Sequence, residues 1–372
     1  MTNRQLIYPR PLLKGAVLLA VFITVNAGCS IARRAQSADT EFPDLPEHYD
    51  WYVSSASGND AASGHDEKHP FKTIQHAIEV AAPFQSIRVA NGTYAENIDF
   101  MGKAIRVIGN PASPQSAVID GGGKASTVRM TRREPASTML CGFTITGGNA
   151  HGEGYYDNHG GGIHLFDNAS PVLSDLIITG NRAATASAIA ALHSSSPVIR
   201  NVVVYGNESS FQFSYVMRFH QASRAVLENV TVGHNLGTEQ RSSMGISYSS
   251  DITIRNSILY NSGAQYEISM SNSANYIGQT STVSIDYCNI RGGANVFFYP
   301  SEAEGEVFAP DGIQAADPQF VRPAAGNYRL SSGSPCIDAG NPSEEWNDIR
   351  LRRRRGTERN DLGAYGGMAS FR

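Results

Sequence analysis

Pro171-Val-Leu-Ser-Asp175-Leu-Ile-Ile-Thr-Gly-Asn181 aligns without gaps on Pro197-Val-Ile-Arg-Asn201-Val-Val-Val-Tyr-Gly-Asn207. It aligns equally on Ala225-Val-Leu-Glu-Asn229-Val-Thr-Val-Gly-His-Asn235 and, one residue shorter before its last Asn, on Ile252-Thr-Ile-Arg-Asn256-Ser-Ile-Leu-Tyr-Asn261. Asp175, Asn201, Asn229 and Asn256 therefore recur at intervals of 26, 28 and 27 residues. Weaker copies continue through Gly142-Phe-Thr-Ile-Thr-Gly147 and Ile285-Asp-Tyr-Cys-Asn-Ile290. A fixed period of this size marks a stacked-repeat architecture.

Each unit holds three short apolar or β-branched runs separated by Gly, Asn, Ser or Pro, and none has helical spacing. Ankyrin-type and leucine-rich horseshoe units both need a helical turn, so they are excluded. A propeller blade needs roughly 40 residues, which is too long for this period. Three strands per coil, with coils about 4.8 Å apart, give three parallel sheets around an apolar centre: an all-β, right-handed parallel β-helix. Asn and Asp tolerate left-handed backbone angles, so the 175, 201, 229 and 256 column reads as a structural corner. Its side chains are expected to bond one another along the axis.

Counting back twelve residues from that column reaches Ile163, Ile189, Met217 and Met244, with Leu165, Ala191, Phe219 and Ile246 two residues further on. Strand alternation turns these inward and turns His164 and Phe166, Ala190 and Leu192, Arg218 and His220, Gly245 and Ser247 outward. Phe71, Ile74, Ala77, Ile78 and Ala81 form one face of a short helix that covers the first coil and its strand edges. Trp51 to Val53 precedes it as a strand, and Ser86 to Ala90 starts the coils. From about Ala316 the chain is irregular and carries an Arg run at 350–355; it is expected to wrap the far end.

Composition agrees with this reading. The chain of 372 residues has 36 Gly, 41% hydrophobic and only 17% charged residues, as many short strands and tight turns require. Net charge is −4, and no stripe of cations interleaved with aromatics exists, which argues against nucleic acid as a partner. Lys124 is the last lysine.

Arg4, Arg10 and Lys14 precede an uncharged run from Gly15 to Ala27, too short to span a bilayer comfortably but suited to an export signal. Asn26-Ala27-Gly28-Cys29 resembles a bacterial lipobox, which implies acylation of Cys29 and a membrane anchor; plain secretion is the alternative. The expected organisation is a signal peptide at 1–28, a flexible tether at 29–48, the β-helix with its N-terminal cap at 49–315, and a C-terminal cap at 316–372. The expected location is outer-membrane or cell-surface lipoprotein, otherwise periplasmic or secreted. Cys141, Cys288 and Cys336 are an odd number and read as buried small hydrophobes.

Trp51-Tyr-Val-Ser-Ser-Ala-Ser-Gly58-Asn-Asp60 followed by Pro70-Phe-Lys-Thr-Ile-Gln75 resembles the opening of pectate-lyase-like β-helix proteins with a DUF1565-like N-terminus. Asp317-Pro-Gln-Phe320, Ser334-Pro-Cys-Ile-Asp-Ala-Gly340 and Asn360-Asp-Leu-Gly-Ala-Tyr365 resemble the end of bacterial choice-of-anchor β-helix proteins. The resemblance implies a substrate groove along the outward face of the first sheet, bordered by the loops after the third strand. That singles out Arg218 and His220 as the candidate catalytic pair. His164, Tyr155, Tyr156, Tyr215 and Arg241 are the candidate substrate-binding residues.

Arg can clamp a uronate carboxylate bidentately, and aromatic faces can stack on sugar rings. Arg218 and His220 stand two apart on one strand, about 7 Å from each other. A related lyase would use a Lys or Arg base beside carboxylate-bound Ca²⁺; the Lys version is removed by the absence of Lys after 124. No outward Asp cluster marks a metal site. Asp60 and Asp66 are Ca²⁺ candidates without a complete motif, and turn chemistry explains them equally. The partner expected is polysaccharide, engaged by a monomer, with catalysis left open and a non-catalytic binding module as one reading. The alternative is β-elimination of uronate-containing glycans, with glycoside hydrolysis by a carboxylate pair as a third reading.

Overall fold

The computed structural model describes residues 45–152, 157–211, 214–236, 242–271, 280–293, 297–298, 305–309, 313–348 and 356–367. From Pro46 onward they belong to one compact unit. Every pairing within the coils is parallel, and the crossovers make a right-handed β-helix.

Eight strands form the front sheet: Ile98–Asp99, Val128–Met130, Ile163–Leu165, Ile189–Leu192, Tyr215–His220, Ser242–Ser247, Tyr266–Ser271 and Phe297–Phe298. In register, Ile163, Ile189, Met217, Met244 and Ile268 stack in one column. Leu165, Ala191, Phe219, Ile246 and Met270 stack in the next. All are buried in one continuous core, as the inward assignment required.

The other two sheets share strands. Val172–Thr179, Val198–Tyr205 and Arg224–Gly233 each run around a corner without breaking. The bend is made at Asp175, Asn201, Asn229 and Asn256, with φ of 50°, 51°, 51° and 48°. Gly142 (φ 79°) and Tyr287 (φ 46°) hold the equivalent place in the flanking coils. The left-handed angle explains the Asx column.

Among the described residues Asn201, Asn229 and Asn256 do not bond one another, contrary to expectation. The axial ladder is built one corner further on. Asn181 Nδ2 donates to Asn207 Oδ1 (3.0 Å), Asn207 Nδ2 to Asn235 Oδ1 (2.9 Å), and the Asn235 backbone N–H to Asn261 Oδ1 (2.9 Å). These amides point into the coil, where Asn207 Nδ2 also satisfies the Ile178 and Tyr205 carbonyls. The outer Asx side chains point outward and need another partner.

The C-terminal segment supplies it. Asn201 Nδ2 donates to the Gly366 carbonyl (2.9 Å), and Asn229 Nδ2 to the Gly363 carbonyl (3.0 Å) and Asn360 Oδ1 (2.9 Å). Asn256 Oδ1 accepts from the Asn341 N–H (2.8 Å). Tyr328 packs on Val203 and Ala364 and donates its hydroxyl to the Gly233 carbonyl (3.1 Å). The segment thus lies as a strap along this corner, where orphan amides await partners; the sequence expectation had it wrapping the far end.

At the N-terminal end, Ile74–Val80 is the one α-helix among the described residues, and Ile74, Ala77 and Ile78 are buried against the core. Thr73 caps its start by accepting from the His76 N–H. Lys103 Nζ donates to the carbonyls of Ile78, Glu79 and Ala81 at its end (2.7, 2.7 and 2.9 Å). Cys141, Cys288 and Cys336 are buried and form no disulfide among the described residues. Burial raises the Cys288 thiol to about 12, so it stays protonated and inert. Cys29 and the apolar run before it lie outside the described residues.

Candidate functional site

The front sheet does place the predicted trio on one wall. His164, Ala190, Arg218, Gly245 and Ser269 are in register on successive coils, with His220 and Ser247 paired two residues further along. His164 and Arg218 therefore stand about 10 Å apart by coil spacing.

The wall is not the solvated face that strand alternation alone suggested. His164 and His220 are each only 4% exposed. The cause is a second apolar layer on the outside: Ala186, Ala190 and Leu192 cluster under Phe166. The Phe166 ring in turn packs on His193 at 4.6 Å. Further along, Gly245 is small because the Tyr215 ring lies on it; an added Cβ would come within 2.5 Å of that ring. The Tyr248 ring meets His220 edge-on at 4.6 Å.

Arg218 is the centre of this wall. Its Nη1 donates to His159 Nε2 (2.7 Å), its Nη2 approaches His220 Nδ1 (3.4 Å), and its guanidinium carbon lies 5.8 Å from the centroid of the Tyr215 ring. Arginine only donates, so the imidazole nitrogens facing it offer lone pairs. Ser247 Oγ, 2.7 Å from His220 Nδ1, then donates to that same nitrogen. Burial first, then the charge of Arg218, pushes the His220 imidazole down to about 3. His164, desolvated first and then repelled by Arg129, is pushed down to about 4.

Both rings are neutral at physiological pH, and His220 is a weak base. It orients Arg218 more readily than it removes a proton. No carboxylate among the described residues pairs with Arg218, and its buried Nε has no acceptor there. The geometry is a half-buried cation held by neutral nitrogens, an arrangement that can take an anion as its counter-charge.

Sequence reasoning placed Tyr215 beside Arg218. Tyr155, Tyr156 and Arg241 lie outside the described residues. His159 falls in a loop expected to border the groove, but its contact with Arg218 was not legible. It sits in an irregular stretch 59 residues before Arg218, where no periodicity gives a register.

Neither calcium candidate keeps an open carboxylate. Asp60 accepts the Lys72 and Thr73 N–H groups (2.8 and 3.0 Å) and the Thr73 hydroxyl (3.0 Å). Asp66 accepts the N–H groups of Lys68 and His69 (2.8 and 2.9 Å) together with the His69 ring (3.0 Å). No group of three or more candidate metal ligands occurs among the described residues.

Fold and wall together define a right-handed parallel β-helix that presents a buried-edge cation on its front sheet. Residues 56–290 match the family described as "Protein of unknown function (DUF1565)", and the chain belongs to it. No curated protein matches it in sequence. Among solved structures it is similar to a pectin methylesterase from Aspergillus niger at 10% identity, covering 74% of this chain and 88% of that one with a TM-score of 0.46. A pectin methylesterase from Erwinia chrysanthemi shares 15% identity over 77% and 99% of the two chains, with a TM-score of 0.43. An alginate lyase from Paenibacillus shares 14% over 65% and 94%, with a TM-score of 0.39. Likenesses of this size concern the fold and carry nothing about substrate or reaction.

Proposed function

We propose that this protein is an exported, surface-anchored β-helix that binds acidic polysaccharide through Arg218 without cleaving it. The observation that carries the reading is the charge of Arg218, unpaired by any described carboxylate and held in place by His159 and His220. A carboxylate of a uronate sugar supplies the missing counter-charge and accepts from the guanidinium edge. Tyr215 offers an aromatic face beside it for the sugar ring. The weak basicity of His220 argues for capture over proton abstraction.

The test is calorimetry of the mature chain with oligogalacturonate, oligoalginate and glycosaminoglycan fragments. Arg218→Ala is expected to weaken binding by about ten- to a hundredfold, since hydrogen bonds to charged groups contribute about 1.5–3 kcal/mol. Arg218→Lys restores the charge without the planar fork and recovers only part of it. Unchanged affinity in Arg218→Ala overturns the assignment. A rise in unsaturated-uronate absorbance that vanishes in the same variant would replace capture with β-elimination. Anchoring is tested separately: Cys29→Ser is expected to release the chain from the membrane fraction.

A further inference from the structure

Beside the front sheet, a small parallel sheet runs along the neighbouring corner through Asn149–Ala150, Arg182–Ala183 and Glu208–Ser209. Its outward column is Asn149, Arg182 and Glu208, and a bridge pairs Glu208 with Leu236 on the next coil. Amide, cation, anion and apolar side chain thus follow one another at coil spacing, over about 14 Å. Asn149, Arg182 and Glu208 line an open trough of about 400 Å³ with His151 and Ser210. An adjoining hollow shares Asn149, Arg182 and Glu208 and is lined further by Leu236 and by Gly147, Gly180 and Gly206, which give its wall no side chains.

His151 forms a bar across it, with Nδ1 at 2.6 Å from Asn149 Oδ1 and Nε2 at 2.9 Å from Ser210 Oγ. Arg182 gives only Nε to Glu208 Oε2 (3.0 Å). Among the described residues its two amino groups have no acceptor, and Glu208 Oε1 has no donor. The pair is 67% and 45% exposed, and Leu236 is 60% exposed.

An exposed ion pair of this kind contributes little to stability, so holding the fold is a weak reason for its geometry. The chemistry on offer is a donor and an acceptor side by side, net neutral, next to an apolar surface. One hydroxyl of a vicinal diol accepts from an Arg182 amino group while its neighbour donates to Glu208 Oε1. The C–H face of the same pyranose ring covers Leu236. Glu208 already neutralises the Arg182 charge, so the site offers a polyanion no net attraction. We infer that this trough is a second saccharide subsite, selective for neutral sugars and distinct from the site proposed at Arg218. The inference takes from the proposed function only the general premise that the protein meets glycans.

The experiment is saturation-transfer NMR and calorimetry on the full mature chain. The probes are xylotetraose, mannotetraose, galactotetraose and maltotetraose, with oligogalacturonate in parallel. At least one neutral tetrasaccharide is expected to bind. Glu208→Ala and Leu236→Asp should each weaken that binding about tenfold, the scale of a lost polar partner or apolar contact. Oligogalacturonate affinity should stay within about twofold in both. Arg218→Ala should show the reverse pattern, so the two readings fail separately. Glu208→Gln, which keeps an acceptor oxygen, is expected to retain most of the neutral binding. Absence of binding by all four neutral probes overturns the inference, as does binding indifferent to Glu208→Ala in a variant whose circular dichroism is native.

Discussion

Two polar columns run up this β-helix, and they behave in opposite ways. The ladder of Asn181, Asn207, Asn235 and Asn261 repeats one residue type on four successive coils, and the amides of its first three members are satisfied by the next rung or by a backbone carbonyl. The front wall changes identity at each step, from His164 to Ala190 to Arg218 to Gly245, and leaves a charge without a described counter-charge. Stacking rewards repetition, because identical side chains at one spacing satisfy each other indefinitely. A column that breaks its own rule serves a purpose other than stacking. In a solenoid, then, the functional residue is the exception within its column rather than the polar residue as such.

This contrast can be broken most sharply at the ladder. Asn207→Ala removes a fully buried amide and strands donors and acceptors on three coils. Urea denaturation is expected to show a loss of about 3 kcal/mol or more. Arg218→Ala, by contrast, should leave the unfolding midpoint nearly unchanged while weakening acidic-glycan binding by about ten- to a hundredfold. If Arg218 proves as costly to stability as Asn207, the distinction between the columns fails.

Gly245→Ala comes next. The new methyl group occupies the place of the Tyr215 ring, which must lift off the sheet. A loss of about 1–3 kcal/mol in the same assay is expected, as for other overpacked sites. Weaker oligouronate binding should accompany it, because Tyr215 leaves Arg218.

Acid sharpens the comparison further. His164 and His220 are buried neutral, with folded values near 4 and 3, below the unfolded value of 6.5. Between these limits the unfolded chain binds more protons than the folded one, so stability falls as pH falls. Their contribution is complete above pH 6.5, declines below it, and is gone beneath the folded values. Thermal midpoints measured from pH 7 to pH 4 should drop, and His164→Gln with His220→Gln should flatten the drop. An unchanged slope in the double variant would mean that other groups carry the acid sensitivity.

The smallest effect is expected at Asp60. Asp60→Asn weakens the acceptor for Lys72 and Thr73 and should cost about 1 kcal/mol. That cost should be the same with Ca²⁺ or with chelator. A calcium-dependent difference in the thermal midpoint would reinstate Asp60 as a metal ligand.

The fold was legible because its signal is repeated: any one coil is ambiguous, but four aligned coils fix period, inward columns and corner together. The ladder was misplaced for a definable reason. Both Asx columns carry the same residue types, and only the backbone angle decides which side chain enters the coil. The Gly before Asn181 and Asn207 was the available clue, since a left-handed glycine there turns the next side chain inward. Arg218 was found because it sits on a strand whose register could be counted. Tyr215, His159 and Glu208 fall in stretches expected to wall the groove as loops, but their partners could not be read there, because loops and two-residue strands are too short to show alternation.

The strap on the outer corner has a consequence for the order in which the chain is made. Asn201 and Asn229 find their carbonyl partners 165 and 134 residues later, and Asn256 finds Asn341 85 residues later. During synthesis every coil is complete, core included, long before this edge is closed. A chain stopped short of residue 340 would present a row of unsatisfied amides to water or to a neighbouring molecule, so a later-made segment seals coils completed well before it.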